Sequence, residues 1–110
     1  MALKFHGEHG QWTTMLDGVL YPVVHEECIK WQGEIGHYVE RAESIPVSQR
    51  WLDHHDHIRR MRIVVLQKGD RVGRTLRREG YVDALWDVVS EVEFDGKTLR
   101  FDIRRRRTPR

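Results

Sequence analysis

Between Trp86 and Ile103 apolar and polar residues alternate on both sides of Asp95-Gly96. That dipeptide between alternating runs is the strongest short-range signal for a β-hairpin. With Phe94 opposite Lys97, one face carries Trp86, Val88, Ser90, Val92 and Phe94 together with Leu99, Phe101 and Ile103. The other face sets Glu91 opposite Arg100 and Asp87 opposite Arg104, so one register serves both burial and charge pairing. Val82, Leu85, Trp86, Val89 and Val92 also fit a helical period, which leaves residues 81–86 open between helix and strand.

Upstream, Cys28, Trp31, Ile35, Tyr38, Val39 and Ala42 recur at intervals of three and four, predicting a helix over 25–42 with Gly33 and Gly36 off its apolar stripe. Ser44-Ile45-Pro46-Val47 breaks it. Ser48 can then cap a second helix over 48–61, whose inner face is Trp51, His55, Ile58 and Met61. A continued helix would drive Arg62 into that face, whereas Arg62 to Gln67 is rich in β-branched residues, so a strand follows. Lys68-Gly69-Asp70 reads as a turn and Arg71 to Arg78 as a further strand ending at Glu79-Gly80. Near the start, Asp17-Gly18 joins two short strands, and Pro22, which cannot donate to a ladder, puts the second at an edge or near its end. The expected fold is α+β: two helices packed on an antiparallel sheet that ends in a C-terminal β-hairpin.

A chain of 110 residues suits a single domain spanning 1–110, with residues 105–110 as a basic C-terminal tail. There is no apolar run of the roughly 18 residues that a membrane span needs, and the opening MALKFHGEHG lacks the apolar stretch of a signal peptide, so a cytoplasmic protein without membrane contact is expected. Cys28 is the lone cysteine, which excludes an internal disulfide and a cysteine-rich zinc site. Net charge is only +2, yet residues 1–57 hold four Lys and Arg against nine Asp and Glu, and residues 58–110 hold fifteen against eight. One consequence is that the acidic half can fold against the basic half. All seven histidines lie in the acidic half, so its charge of −5 would become +2 on acidification, making pH between about 5 and 7 a variable for stability or assembly.

Fifteen of the nineteen basic residues are arginine, whose fork suits carboxylate and phosphate. Arg74, Arg77, Arg78, Arg105, Arg106, Arg107 and Arg110 are the candidates for contact with nucleic acid or an acidic protein, since cations in such numbers neutralise phosphates and release counterions. Trp12 and Trp86 are the aromatics considered for stacking beside them. A separate cluster, Asp53-His54-His55-Asp56-His57, places Asp53, His54 and His57 at helical spacings able to offer ligands to one divalent transition metal, the only cofactor suggested, with a hydrolytic reaction as its corollary. A third ligand would come from His6, His9, His25, Glu26, Glu27 or Cys28. Cys28 with His25 three residues before it gives a thiol near a base, but a cysteine on an apolar stripe ordinarily serves as a small hydrophobe. Gly69 and Gly73 lack the spacing of a phosphate loop, so nucleotide hydrolysis is not supported.

Lys68-Gly69-Asp70, Trp86-Asp87-Val88-Val89-Ser90, Asp95-Gly96 and Leu99-Arg100-Phe101 together resemble the β-rich ends of small phage head–tail connector proteins, over less than half of the chain. The resemblance implies a structural, ring-forming homo-oligomeric subunit without catalysis. Taken together, the residues favour a small non-enzymatic binding or assembly protein using its arginine-rich half, with a histidine-dependent metalloprotein as the alternative.

Overall fold

The computed structural model describes residues 12–42, 45–72 and 75–107. Its strands are β1 (Thr13–Leu16), β2 (Val19–His25), β3 (Ile29–Gln32), β4 (Ile35–Arg41), β5 (Ile63–Val72), β6 (Thr75–Tyr81), β7 (Trp86–Val88), β8 (Glu93–Phe94) and β9 (Thr98–Arg105), and α1 (Gln49–Met61) is the one α-helix among the described residues. They form a mixed sheet in the order β1-β2-β5-β7-β9-β4-β3, with β6 added on β5 and β8 on β9. The fold is therefore mostly β, which corrects the expectation of two helices on an antiparallel sheet. One pairing, β2 with β5 through Val23↔Val65 and Val24↔Leu66, is parallel.

The expected helix over 25–42 is instead the end of β2, a 3-10 turn at Glu26–Cys28, and the β3–β4 hairpin. Its two glycines explain the difference. Gly33 has φ +59° and Gln32 pairs with Ile35, so Gly33-Glu34 is a two-residue hairpin loop with positive φ at its first position. Gly36 is buried beneath β3, where an added Cβ would stand 2.9 Å from both Ile29 Cγ2 and Trp31 Cζ3. The inward positions of β4 are Gly36 and Tyr38, and a glycine contributes nothing to a hydrophobic pattern, so strand alternation is hidden there.

α1 forms as expected. Ser48 Oγ accepts from the Trp51 amide at 3.3 Å, and Arg62 takes the left-handed C-cap conformation at φ 56°. The Arg62 guanidinium donates to the carbonyls of Val88 and Ser90, at 2.9 and 2.8 Å, tying the helix end to the loop after β7. Val64, Val65 and Leu66 of β5 are all buried, as are Val23 and Val24 of β2, because both faces of these central strands are covered. Lys68-Gly69-Asp70 is not a turn: β5 runs through it, with a bulge between Lys68 and Gly69, and pairs with β6 as far as Val72↔Thr75. Residues 82–85 are neither helix nor strand.

The first hairpin turns at Asp17-Gly18 as expected, both with positive φ. Pro22 is not on an edge strand; it lies where pairing with β1 ends and parallel pairing with β5 starts. In the C-terminal hairpin the far register holds, with Asp87 opposite Arg104, but near the turn Phe94 faces Leu99 and Glu93, not Glu91, faces Arg100. Asp95 causes that shift by accepting from the amides of Lys97 and Thr98, at 3.0 and 2.8 Å, which lengthens the loop. A slip of two leaves each side chain on its face, so the buried set Trp86, Val88, Val92, Leu99, Phe101 and Ile103 is the expected one. This set joins Val24, Tyr38, Ile58, Val64 and Leu66 in the core.

Candidate functional site

The β3–β4 loop, β7 and the end of β9 enclose a cleft of about 650 Å³ lined by Trp31, Gly33, Glu34, Trp86 and Arg104 to Arg107. β9 reaches Arg105, and the Arg106 amide continues the ladder by donating to the Leu85 carbonyl at 2.9 Å. The arginines are thus delivered by the strand itself. Alternation puts Arg105 on the sheet face of Trp31, Trp86 and Ile103, and Arg104 and Arg106 on the opposite face with Asp87. Asp87 takes Arg106, at 2.7 Å from Nη2 and 3.0 Å from Nε, and not the Arg104 directly across from it. This corrects the expected pairing. Among the described residues Arg104, Arg105 and Arg107 are exposed with no carboxylate partner, and Glu34 is the remaining acid at the cleft.

The aromatic of this site is Trp31, which is 45% exposed, whereas Trp86 is only 8% exposed and Trp12 is covered by α1. The three- and four-residue spacing puts Trp31 on the buried stripe of a helix; the signal for its place on a hairpin is Gly33-Glu34, two residues on. Its ring lies 5.1 Å from that of Trp86, tilted by 51°. Of the other arginine candidates, Arg77 and Arg78 occupy β6 at register positions opposite Asp70 and Gly69, while Arg74 and Arg110 lie outside the described residues.

Asp53, His54 and His57 do line a common cleft of about 450 Å³ with Trp12, Leu20, Arg50 and Arg60. His57 and Asp53 have hydrogen-bond partners of their own. His54, not His55, is the buried histidine of α1; its ring meets the edge of Trp12 at 4.7 Å, and Nδ1 is buried without a partner. Burial first, then the neighbouring His25, His57, His55 and Arg50, lowers its pKa to about 3. His57 Nε2 lies 3.0 Å from the Leu20 carbonyl, to which it donates in the tautomer that contact requires, and Asp53 accepts from Gln49 Nε2 at 2.9 Å. Partial burial is the main cause that holds the His57 pKa below its usual value. Among the described residues no three His, Cys, Asp or Glu side chains stand close enough to hold a metal ion.

A serine, a histidine and an aspartate also meet, at Ser90, His37 and Asp102. His37 Nδ1 is 2.7 Å from Asp102 Oδ1, as in a hydrolytic triad, but Nε2 faces Gln32 Oε1 at 3.1 Å. Ser90 Oγ accepts from the Asp102 amide and donates to the Glu91 carbonyl, so no base is placed to take its proton. The Cys28 and His25 pair expected on one helical turn falls instead at a 3-10 turn, where His25 Nε2 is 3.9 Å from Glu40. No family model, curated protein or solved structure matches the chain.

Proposed function

We propose that the chain is a non-enzymatic nucleic-acid-binding protein whose contact surface is the cleft at the end of β9. The observation that carries this reading is one cleft lined both by Arg104, Arg105 and Arg107, without carboxylate partners among the described residues, and by the exposed ring of Trp31. Guanidinium groups bind phosphate by charge-assisted hydrogen bonds, and an indole offers a surface for a base, so the two residue types answer the two parts of a nucleotide. Glu34 and the Asp87–Arg106 pair bring two negative charges to four positive ones, which leaves the cleft at about +2.

The test is fluorescence anisotropy of labelled single-stranded and duplex DNA, titrated at 50 and 200 mM salt with the wild type and with Arg104→Ala/Arg105→Ala/Arg107→Ala. Three phosphate contacts give a log–log salt slope of about −2 to −3, so the fourfold increase in salt should weaken binding roughly 20- to 40-fold. The triple variant should lose binding at both concentrations. No wild-type binding at 50 mM salt overturns the reading, and an acidic protein that competes for the same arginines in place of DNA would redirect it.

A further inference from the structure

We infer that the nucleic acid taken by this cleft is single-stranded, held with one unpaired base against Trp31; this rests on the reading just given. Three features of the structure lead there. Trp31 is on β3, which ends the main strand path and has β4 as its neighbour on one side, so the ring is approached from the open edge of the sheet. Its inner side is held in place, with Cζ3 over the Cα of Gly36 and Trp86 at 5.1 Å, and the outer part stays exposed. A ring so fixed loses little freedom on binding, which is what makes a stacking surface effective.

Arg105 projects from the same face of the sheet as Trp31, with Arg104 and Arg107 on the same cleft. Base faces within a duplex are already stacked on one another and cannot lie on an indole, whereas the phosphates are equally available in both forms. Arginines alone would therefore not distinguish strand state. Trp31 does. A cleft of about 650 Å³ falls within the roughly 300–1,000 Å³ that encloses a small organic ligand, so it admits one nucleotide and not a run of stacked bases. Stacking is tolerant of base identity, so little sequence preference is expected.

The experiment compares a labelled oligo-dT with a duplex of equal length at low salt, for the wild type, Trp31→Ala and Trp31→Phe, reading anisotropy and tryptophan emission together. Wild type should bind the single strand more tightly and lose emission on binding. Trp31→Ala should weaken the single strand about 5- to 150-fold and the duplex by much less. Trp31→Phe should recover most of the affinity while losing the quench. Duplex affinity also reports on folding, since a misfolded variant would lose both ligands. Trp31→Ala binding oligo-dT as well as the wild type does, with the triple arginine variant still inactive, would overturn the stacking while leaving the proposed function in place. Failure of the wild type to bind either form would remove both.

Discussion

His54 makes the stability of this fold depend on acid, and the size of the effect can be worked from its surroundings. The side chain is 5% exposed, its Nδ1 has no partner, and the groups facing it, His25, His55, His57 and Arg50, are all basic. Protonation inside the fold is therefore opposed by burial and by like charge, and the pKa falls from 6.5 to about 3. In the unfolded chain the imidazole titrates near its ordinary value, so below that pH the unfolded state binds the extra proton. A lowered folded pKa on a histidine means stability that is complete above about 6.5 and declines as pH falls toward 3. Each pH unit in that window removes about 1.4 kcal/mol, so acidification to pH 5 removes about 2 kcal/mol.

Urea unfolding at pH 7.5 and 5.0 measures this directly, since about 2 kcal/mol moves the midpoint by roughly 1 M at an ordinary denaturant slope. His54→Phe keeps an aromatic ring against the edge of Trp12 but has nothing to protonate. The variant should show a smaller loss between the two pH values, with a residue of pH dependence left by His55 and His57, whose pKa values partial burial also lowers. Equal pH dependence in wild type and His54→Phe would refute the reasoning. The same shift limits the charge swing that seven histidines suggested: folded His54 stays neutral between pH 5 and 7.

Ile58→Ala empties a fully buried position between α1 and the sheet and should cost about 2–5 kcal/mol by chemical denaturation. Ser48→Ala removes the hydroxyl that caps α1 and should cost about 1 kcal/mol in the same assay. Gly36→Ala sets a methyl group 2.9 Å from Trp31 Cζ3 and should cost about 1–3 kcal/mol while changing Trp31 emission. Asp87→Asn releases Arg106 into the cleft, so the salt slope for a single strand should steepen by about 0.7 and affinity at low salt should rise.

What could be read in the sequence was local and redundant. α1 was legible because Ser48 caps it, its apolar residues repeat, and Arg62 ends it, three signals that agree. Which histidine turns inward was not: His54 and His55 stand at equivalent three- and four-residue steps from both Trp51 and Ile58, and the choice of His54 is made by Trp12, some forty residues away. The C-terminal hairpin gave its faces correctly and its pairs only in part, because a slip of two residues preserves burial and Asp95 chose the longer loop. The β3–β4 hairpin was hidden by Gly36, an inward position with no side chain to count. With it went Trp31, since a tryptophan on a helical stripe reads as core whereas the same residue on an edge strand above a glycine is surface.

The division of charge along the chain gains a different meaning from the fold. If the basic half served to neutralise the acidic half, its arginines would be seated on the carboxylates of residues 1–57. One arginine is so placed, Arg60 on Asp56 at 3.0 Å within α1, but where β4 and β9 bring the halves side by side the side-chain contact is a histidine of the acidic half, His37, on a carboxylate of the basic half, Asp102. Arg106 finds its carboxylate, Asp87, within the basic half. Arg104, Arg105 and Arg107 take no carboxylate of either half among the described residues and stand exposed where β9 ends. Like charges set side by side on one strand end repel one another, and a bound polyanion relieves that repulsion as it forms new contacts. On the proposed reading, the arginines that make no ion pair among the described residues are the ones that meet the phosphates.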